Sequence, residues 1–273
     1  MADFAELLKV IFLGFIEGVT EWLPISSTGH MLLVDEFLHL NGSPEFKEMF
    51  FILIQLGAIL AVVILFWEKM VPLRLTDGGR PSVRKDVISL WLKVVVACVP
   101  GAVVTLLFDD EIEAHFHTPA VIAGALILYG VAFIIIERWN KSRTPKTGRL
   151  EDITCRTALV IGLFQVLSII PGTSRSGATI IGALLIGVSR TAAAEFTFFL
   201  AVPVMFGMSA VKMMKFGLHF TYGEMSTLIV GMAAAFLVSV LVIKFLMSYI
   251  RKHDFTAFGW YRIVLGILVL LLT

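Results

Sequence analysis

The sequence predicts an all-α integral membrane protein, built as an inverted-topology repeat with six spanning helices and two re-entrant helix pairs. Of the 273 residues, 58% are hydrophobic and 16% are charged, and the mean hydropathy is +0.91, whereas soluble domains carry about 25% charged residues. Several apolar segments approach the roughly 20 residues that cross about 30 Å of hydrocarbon. Two polar motifs, one in each half, interrupt segments that are too short to cross.

The first repeat is predicted to cover residues 1–138 and to begin with a broken region at 7–38. Glu17, Glu21 and Pro24, followed by a polar run, divide this region into pieces too short to span. Non-helical backbone at membrane depth must be buried in protein or face a wet cavity, so we expect a re-entrant helix pair here. Three spanning helices are predicted to follow, at about 49–67, 87–108 and 119–136.

The second repeat is predicted to cover 154–273, after a basic linker at 139–153. Its broken region, 158–188, is interrupted by a proline–glycine motif and is also expected to be a re-entrant pair. Residues 171–177 can be aligned with residues 24–29 if one inserted residue is allowed, which indicates an internal repeat. Three spanning helices are predicted to follow, at about 194–212, 225–247 and 257–273.

Lysine and arginine counts predict how the two repeats are oriented. Five such residues lie in 68–86 and five in 139–156, whereas 109–118 has none. The positive-inside rule places the first two segments in the cytoplasm and the third, as a loop, outside. With both broken regions re-entrant, the halves then have opposite orientations. Inverted repeats place sites near the midplane, where their broken helices meet.

Composition also excludes some functions. The net charge of +1 provides no basic field for a nucleic-acid backbone. Cys98 and Cys155 lie far apart and show neither zinc-ligand spacing nor a disulfide framework. Nucleic acid and redox chemistry are therefore not expected.

Glu17 and Glu21 are four residues apart, so on a helix both carboxylates project from one face. Two like charges at membrane depth are expected to hold a cation, share a proton, or lie in water. A hard divalent ion such as Mg²⁺ accepts carboxylate oxygens and keeps waters that a phosphate can replace. The alternative is a solvated pair at the mouth of a wet cleft.

Three hydroxyl residues, Ser26, Ser27 and Thr28, precede a glycine and His30. A hydroxyl before a new helix is an ordinary N-cap, which explains one of them. A hydroxyl close to an imidazole is also a candidate nucleophile with a proton carrier. The sequence leaves both interpretations open.

The second motif supplies Ser174, Arg175, Ser176 and Thr179 ahead of an apolar run. A guanidinium offers a planar fork of donors suited to phosphate, and free N–H groups at a helix start bind anions. These residues predict a phosphate cradle. The alternative is a structural ion pair between Arg175 and one of the two glutamates.

Three further basic residues, Lys93, Lys244 and Arg262, lie near predicted cytoplasmic helix ends. Long basic side chains at such positions extend to the lipid headgroups. We therefore predict them to be membrane anchors.

The signature motifs of the undecaprenyl-diphosphate phosphatase family, also called the bacitracin-resistance proteins, closely resemble two strings of this chain: EGVTEWLPISSTGH at 17–30 and PGTSRSGAT at 171–179. The similarity extends over the full length in size, motif positions and hydropathy. The resemblance implies hydrolysis of the terminal phosphate of a C55 isoprenoid diphosphate, which gives the carrier lipid of bacterial envelope synthesis. It also implies a divalent cation, Mg²⁺ or Ca²⁺, and a site opening to the outer side of the bacterial cytoplasmic membrane.

The resemblance also assigns roles to residues. It implies a catalytic set and a substrate-binding set, with the two glutamates as metal ligands. The catalytic set is Glu17, Glu21, Ser27, His30 and Arg175, and the substrate-binding set is Ser26, Thr28, Ser174, Arg175, Ser176 and Thr179. Two routes stay open: attack by Ser27, with His30 or Glu21 moving the proton, and direct attack by water.

The competing function is a lipid-phosphate transporter or flippase, because inverted repeats with broken midplane helices recur in transporters. A transporter needs only to hold and release an anion, so the hydroxyl, imidazole and carboxylate set favours an enzyme. The expected partners are an isoprenoid diphosphate lipid and the membrane, with a homodimer as a further option.

Overall fold

The computed structural model of the protein describes residues 4–35, 37–75, 81–116, 118–216 and 220–273. In this part the chain is mainly helical, with a short antiparallel pair of strands, β1 (Leu73–Leu75) and β2 (Pro81–Val83). The α-helices, in chain order, are α1 (Phe4–Thr20), α2 (Ser27–Asp35), α3 (Pro44–Leu65), α4 (Trp67–Met70), α5 (Lys85–Phe116), α6 (Pro119–Asn140), α7 (Cys155–Val166), α8 (Arg175–Leu185), α9 (Arg190–Phe216), α10 (Tyr222–Tyr249) and α11 (Thr256–Leu272). Short 3-10 turns occupy Leu150–Asp152 and Leu167–Ile169.

Five helices of the described ranges are long and apolar enough to cross a membrane, namely α3, α5, α6, α9 and α10. They match five of the six predicted spans. The sixth, predicted at 257–273, corresponds to α11, which is apolar but has 17 residues. The prediction of an all-α, multi-pass membrane protein is confirmed.

Polar caps define where several helices begin. The side chains of Ser43 and Thr118 accept hydrogen bonds from the backbone at the starts of α3 and α6, and a proline follows each of them. Thr221 forms a capping box with Glu224 at the start of α10. These side chains satisfy N–H groups that have no partner within the helix.

The prediction of a loop over 109–118 is wrong, because α5 continues to Phe116 and α6 begins at Pro119; their position on the outer side stays a prediction. Hydropathy shows where a run of apolar side chains ends, but not where the helical backbone ends. A helix satisfies its own backbone hydrogen bonds in water as well as in lipid, so it does not have to end there. The predicted loop 68–86 likewise contains α4 and the two strands.

Helix α8 lies at the centre of the bundle, packed against α6, α7 and α9, and its residues from Ser176 to Leu184 are buried. Around it, α1 packs on α10 and α7 packs on α5. Helix α3 contacts both α9 and α10, and α6 pairs with α11. Of the short helices in the two broken regions, α8 is thereby enclosed by other helices, whereas α1 and α7 each keep an exposed apolar face.

Close helix contact between α5 and α7 depends on Gly162, where a Cβ would lie 2.3 Å from the carbonyl oxygen of Ala97. We expect Gly162→Ala to lower the free energy of unfolding by about 1–3 kcal/mol, because two backbones must separate. Gly124→Ala in α6, where no atom lies within 4 Å, is the matched control. It is expected to be neutral or slightly stabilising, since alanine is the better helix former. Thermal unfolding in detergent measures both, and equal melting temperatures would contradict the expectation.

Candidate active site

The loops that follow α1 and α7 have the same local geometry. Ser26 and Ser174 each stand immediately before a helix, with φ of 75° and 69°. Each side chain accepts a hydrogen bond from the backbone N–H three residues later, at Gly29 over 3.4 Å and at Gly177 over 3.2 Å. Both serines are therefore N-caps; for Ser26 this is one of the two interpretations of the hydroxyl run, whereas no cap was predicted at Ser174.

A positive φ is unusual for a residue with a side chain and costs on the order of 1–3 kcal/mol. Such strain persists where the surrounding structure enforces it, and it concentrates at functional sites. Its occurrence at equivalent positions of both loops marks these loops as the candidate site.

Glu21 stands where the two loops meet, in the turn that follows α1. Its Oε1 accepts a hydrogen bond from Nη2 of Arg175 over 2.9 Å, and its Oε2 accepts one from the hydroxyl of Ser27 over 3.1 Å. The hydroxyl of Ser176 donates to the backbone oxygen of Glu21 over 3.2 Å. The side chains of Arg175 and Glu21 are 11% and 9% exposed, so this ion pair is shielded from solvent.

Helix α9 completes the position of Arg175, whose Nη1 donates to the carbonyl oxygen of Thr197 over 3.2 Å. The hydroxyl of Thr179 lies within 2.9 Å of the Thr197 hydroxyl and donates to carbonyl oxygens of its own helix. Thr179 therefore joins α8 to α9 beneath the arginine. The hydroxyl proton of Thr179 is therefore used in a hydrogen bond within the protein.

Glu17 lies one turn before Glu21 and is 2% exposed. It is within electrostatic range of both Glu21 and Arg175. Its Oε1 is buried and has no hydrogen-bond partner, which is an unusual state for a carboxylate oxygen. This oxygen is the feature that fits a bound cation or a proton. Within the described ranges no three His, Cys, Asp or Glu side chains group as metal ligands.

His30 is directed to a different set of partners. Its Nδ1 lies 2.7 Å from the carbonyl oxygen of Ser26 and its Nε2 lies 2.8 Å from the hydroxyl of Tyr261, with the two rings stacked. The tautomer that donates from Nδ1 and accepts at Nε2 satisfies both contacts. Ser27 instead bonds to Glu21, so of the two proton carriers considered, Glu21 is the one in contact. Thr28, on the same short helix, is exposed.

Arg262 is not a membrane anchor, and that prediction is wrong. Its side chain is fully buried in α11 and donates to the carbonyl oxygens of Pro24, Gly172 and Thr173. Sequence position alone placed it near a helix end, where an arginine can extend to headgroups. The general rule that a charge inside a membrane helix marks a functional site would have selected it.

This arrangement can receive a phosphate group. A guanidinium and a serine hydroxyl meet at one carboxylate, and an anion that displaced the carboxylate would find the same donors. The free N–H groups at the starts of α2 and α8 add anion-binding capacity. The hydroxyl–carboxylate contact also supplies the nucleophile–base geometry of covalent catalysis.

An ion pair enclosed by apolar helices defines the class, a multi-pass integral membrane protein with an internal polar site. The chain belongs to the family described as bacitracin resistance protein BacA, whose family model matches residues 10–268. The resemblance found in the two motifs is thereby confirmed.

Proteins similar to this chain over nearly its whole length are named undecaprenyl-diphosphatase. One from Enterococcus faecalis is 70% identical over 99% of this chain and 98% of its own length. One from Lachnoclostridium phytofermentans is 60% identical over 98% and 97%, and one from Desulfitobacterium hafniense is 57% identical over 97% and 95%.

Proposed function

We propose that this protein hydrolyses undecaprenyl diphosphate to undecaprenyl phosphate and inorganic phosphate, and so recycles the carrier lipid of cell-wall synthesis. Its relatives carry the name of that activity over the same length. The observation that carries the proposal is the Glu21 carboxylate held between the Arg175 guanidinium and the Ser27 hydroxyl. Phosphoryl transfer depends mainly on positioning and on charge stabilisation, and these residues supply both.

In the covalent route, Ser27 Oγ attacks the terminal phosphorus while its proton passes to Glu21. The bond from phosphorus to the bridging oxygen breaks, the lipid monophosphate leaves, and water then cleaves the phosphoserine to release inorganic phosphate. In the direct route, water attacks the terminal phosphorus while a carboxylate takes its proton. Arg175 neutralises phosphate charge in both routes.

We include a divalent cation, Mg²⁺ or Ca²⁺, held by Glu17 and Glu21. The buried, unpartnered Oε1 of Glu17 supports this, and Mg²⁺ in particular is bound through one or two carboxylates, several waters and substrate phosphates. A bound cation would neutralise charge on the diphosphate. Glu17 and Glu21 would hold the cation beside the two loops.

Phosphate release by purified protein from an isoprenoid diphosphate tests the proposal. We expect release to stop in the presence of a chelator and to return when Mg²⁺ or Ca²⁺ is added. Glu17→Gln keeps the size of the side chain but removes a metal-binding charge, so we expect it to raise the cation concentration needed for half-maximal rate. Glu224→Gln, in the capping box of α10, is the matched control and should leave that concentration unchanged. Full activity in chelator would contradict the cation requirement.

The proposed topology has six spans and two re-entrant pairs in an inverted repeat. Helix α7, with 12 residues, is about 18 Å long, too short to cross the hydrocarbon. The packing supports the repeat: the first helix of each half packs on a long helix of the other half, α1 on α10 and α7 on α5. The matched geometry of Ser26 and Ser174 supports it as well.

In this topology, in the bacterial cytoplasmic membrane, Cys155 faces the cytoplasm and Tyr222, 84% exposed at the start of α10, faces outward. With Cys98 replaced by alanine, Cys155 is the single thiol and is expected to resist a membrane-impermeant maleimide applied to intact cells. Tyr222→Cys, in a chain without the native cysteines, is expected to react. Labelling of both from the same side would overturn the orientation.

The second candidate function, lipid-phosphate transport, is favoured by a cavity of about 600 Å³ between the end of α6, the basic linker and the turn from α8 to α9. Lys141, Arg143, Lys146 and Arg251 line it, a surface suited to a phosphate headgroup. Binding of the diphosphate lipid without release of phosphate would favour transport over hydrolysis.

A further inference from the structure

The buried guanidinium of Arg262 connects the two loops of the site. Its Nη1 donates to the Pro24 carbonyl in the first loop over 3.2 Å. Its Nη2 donates to the Gly172 and Thr173 carbonyls in the second loop over 2.8 and 2.9 Å. One side chain, carried by the last helix, thus holds backbone from both halves of the chain.

Burying the guanidinium charge of Arg262 costs free energy, which indicates that the arginine has a role that an apolar residue could not fill. Arg262 is 0% exposed, and its partners in the described part of the chain are carbonyl oxygens and the ring of Tyr129, 5.7 Å away, rather than a carboxylate. Its Nε has no partner. An apolar residue would fill the same space without the desolvation penalty, so packing alone does not account for an arginine.

The residues around the Arg262 guanidinium pack closely against it and leave little free space. At Gly177, on the first turn of α8, a Cβ would lie 3.1 Å from Nη1 of Arg262. Gly172 has φ of +89°, and a Cβ there would meet the Ile122 carbonyl oxygen at 2.4 Å. The second loop is therefore held closely between α6 and α11, with its carbonyls turned to the arginine.

We propose that Arg262 is a positioning residue that fixes the two loops against each other, so that Ser27 and Glu21 from one half meet Arg175 from the other. It contacts neither Glu21 nor Ser27 and acts through the backbone of both loops. A planar fork of donors suits this task, because it satisfies carbonyls in two directions at once. The inference rests on the proposed phosphatase function for its kinetic consequence, but not for its structural one.

Two variants test the proposal. Arg262→Met keeps the length and removes the donors, and Arg262→Lys keeps the charge but replaces the fork with one ammonium. We expect Arg262→Met to lower kcat for phosphate release by about 100-fold with a smaller change in KM, since misplacement of about 1 Å has effects of this size. We expect Arg262→Lys to recover only part of that loss. Arg84→Met, which removes an arginine bound to the Glu68 carbonyl and to Asp86 rather than to either loop, is the control and should retain kcat.

Hydrogen–deuterium exchange gives a readout independent of activity. In Arg262→Met, we expect faster exchange in peptides covering 21–30 and 167–179 together, and unchanged exchange in α3 and α10. Wild-type kcat together with unchanged exchange in both loops would overturn the proposal, and if Arg262→Met does not fold, the same comparison with Arg262→Lys decides it. A wild-type protein that releases no phosphate would refute the proposed function, whereas the exchange result would still test the positioning role.

Discussion

Arg175→Lys is expected to lower kcat/KM for phosphate release by about 100–1000-fold, the range measured when one donor to a transition-state oxyanion is removed. The guanidinium donates to Glu21 and to the Thr197 carbonyl at the same time, so its plane is fixed before substrate arrives. A lysine keeps the charge but supplies neither the second fixed donor nor a bidentate contact to phosphate. The loss would therefore show that geometry, and not charge alone, is required.

The control for this prediction is Arg149→Lys, an exposed arginine of the basic linker that pairs with Asp152 on the surface. It should leave kcat/KM unchanged. The two substitutions are compared in the same detergent, with thermal unfolding to establish that both variants are folded. An Arg175→Lys protein with nearly full activity would contradict the assigned role and favour the interpretation of Arg175 as a structural partner of Glu21.

Ser27→Ala is expected to lower phosphate release by at least about 1000-fold if the serine is the nucleophile, as loss of a nucleophile has larger effects still in serine hydrolases. The variant removes both the attacking oxygen and the hydrogen bond to Glu21. Substrate labelled in the terminal phosphate should transfer label to the wild-type protein during turnover and not to Ser27→Ala. An active Ser27→Ala enzyme would eliminate the covalent route.

Ser168→Ala provides the matched control for Ser27→Ala. This serine lies in the corresponding region of the second half, where its hydroxyl donates to the Gln165 carbonyl over 2.7 Å. It has no contact with the ion pair. Retention of activity and labelling in Ser168→Ala would show that the effect belongs to one hydroxyl and not to any serine in these loops.

The sequence was sufficient to predict that the two loops converge and bring Arg175 near the two glutamates, but not which glutamate it contacts. Polar backbone and charged side chains at membrane depth must be enclosed by protein, and two interrupted segments in one bundle can satisfy this by converging. The structure joins the two side chains over 2.9 Å across 154 positions of sequence. The sequence did not predict which hydroxyl contacts the Glu21 carboxylate. A helix as short as α2 has too few turns to show which of its faces is turned toward the site.

Arg262 was assigned a wrong role and Tyr261 none, for a different reason. Hydropathy locates a residue along the membrane normal only to within about a turn, and it does not show which neighbour a helix face will meet. Arg262 reaches Pro24 across 238 positions, and that contact is created by the packing of α11 against α6. The predicted span 87–108 was shorter than α5 because the apolar side chains end near residue 108, whereas the helical backbone continues to Phe116.

The pair formed by Glu21 and Arg175 also has a consequence for selectivity among anions. A guanidinium already neutralised by a carboxylate exerts only a weak attraction on chloride, which carries one charge and offers no paired oxygens. A diphosphate brings several oxygens and more than one negative charge, enough to compete with the internal carboxylate. We therefore expect that the Arg175–Glu21 ion pair keeps the guanidinium from binding chloride until a diphosphate arrives.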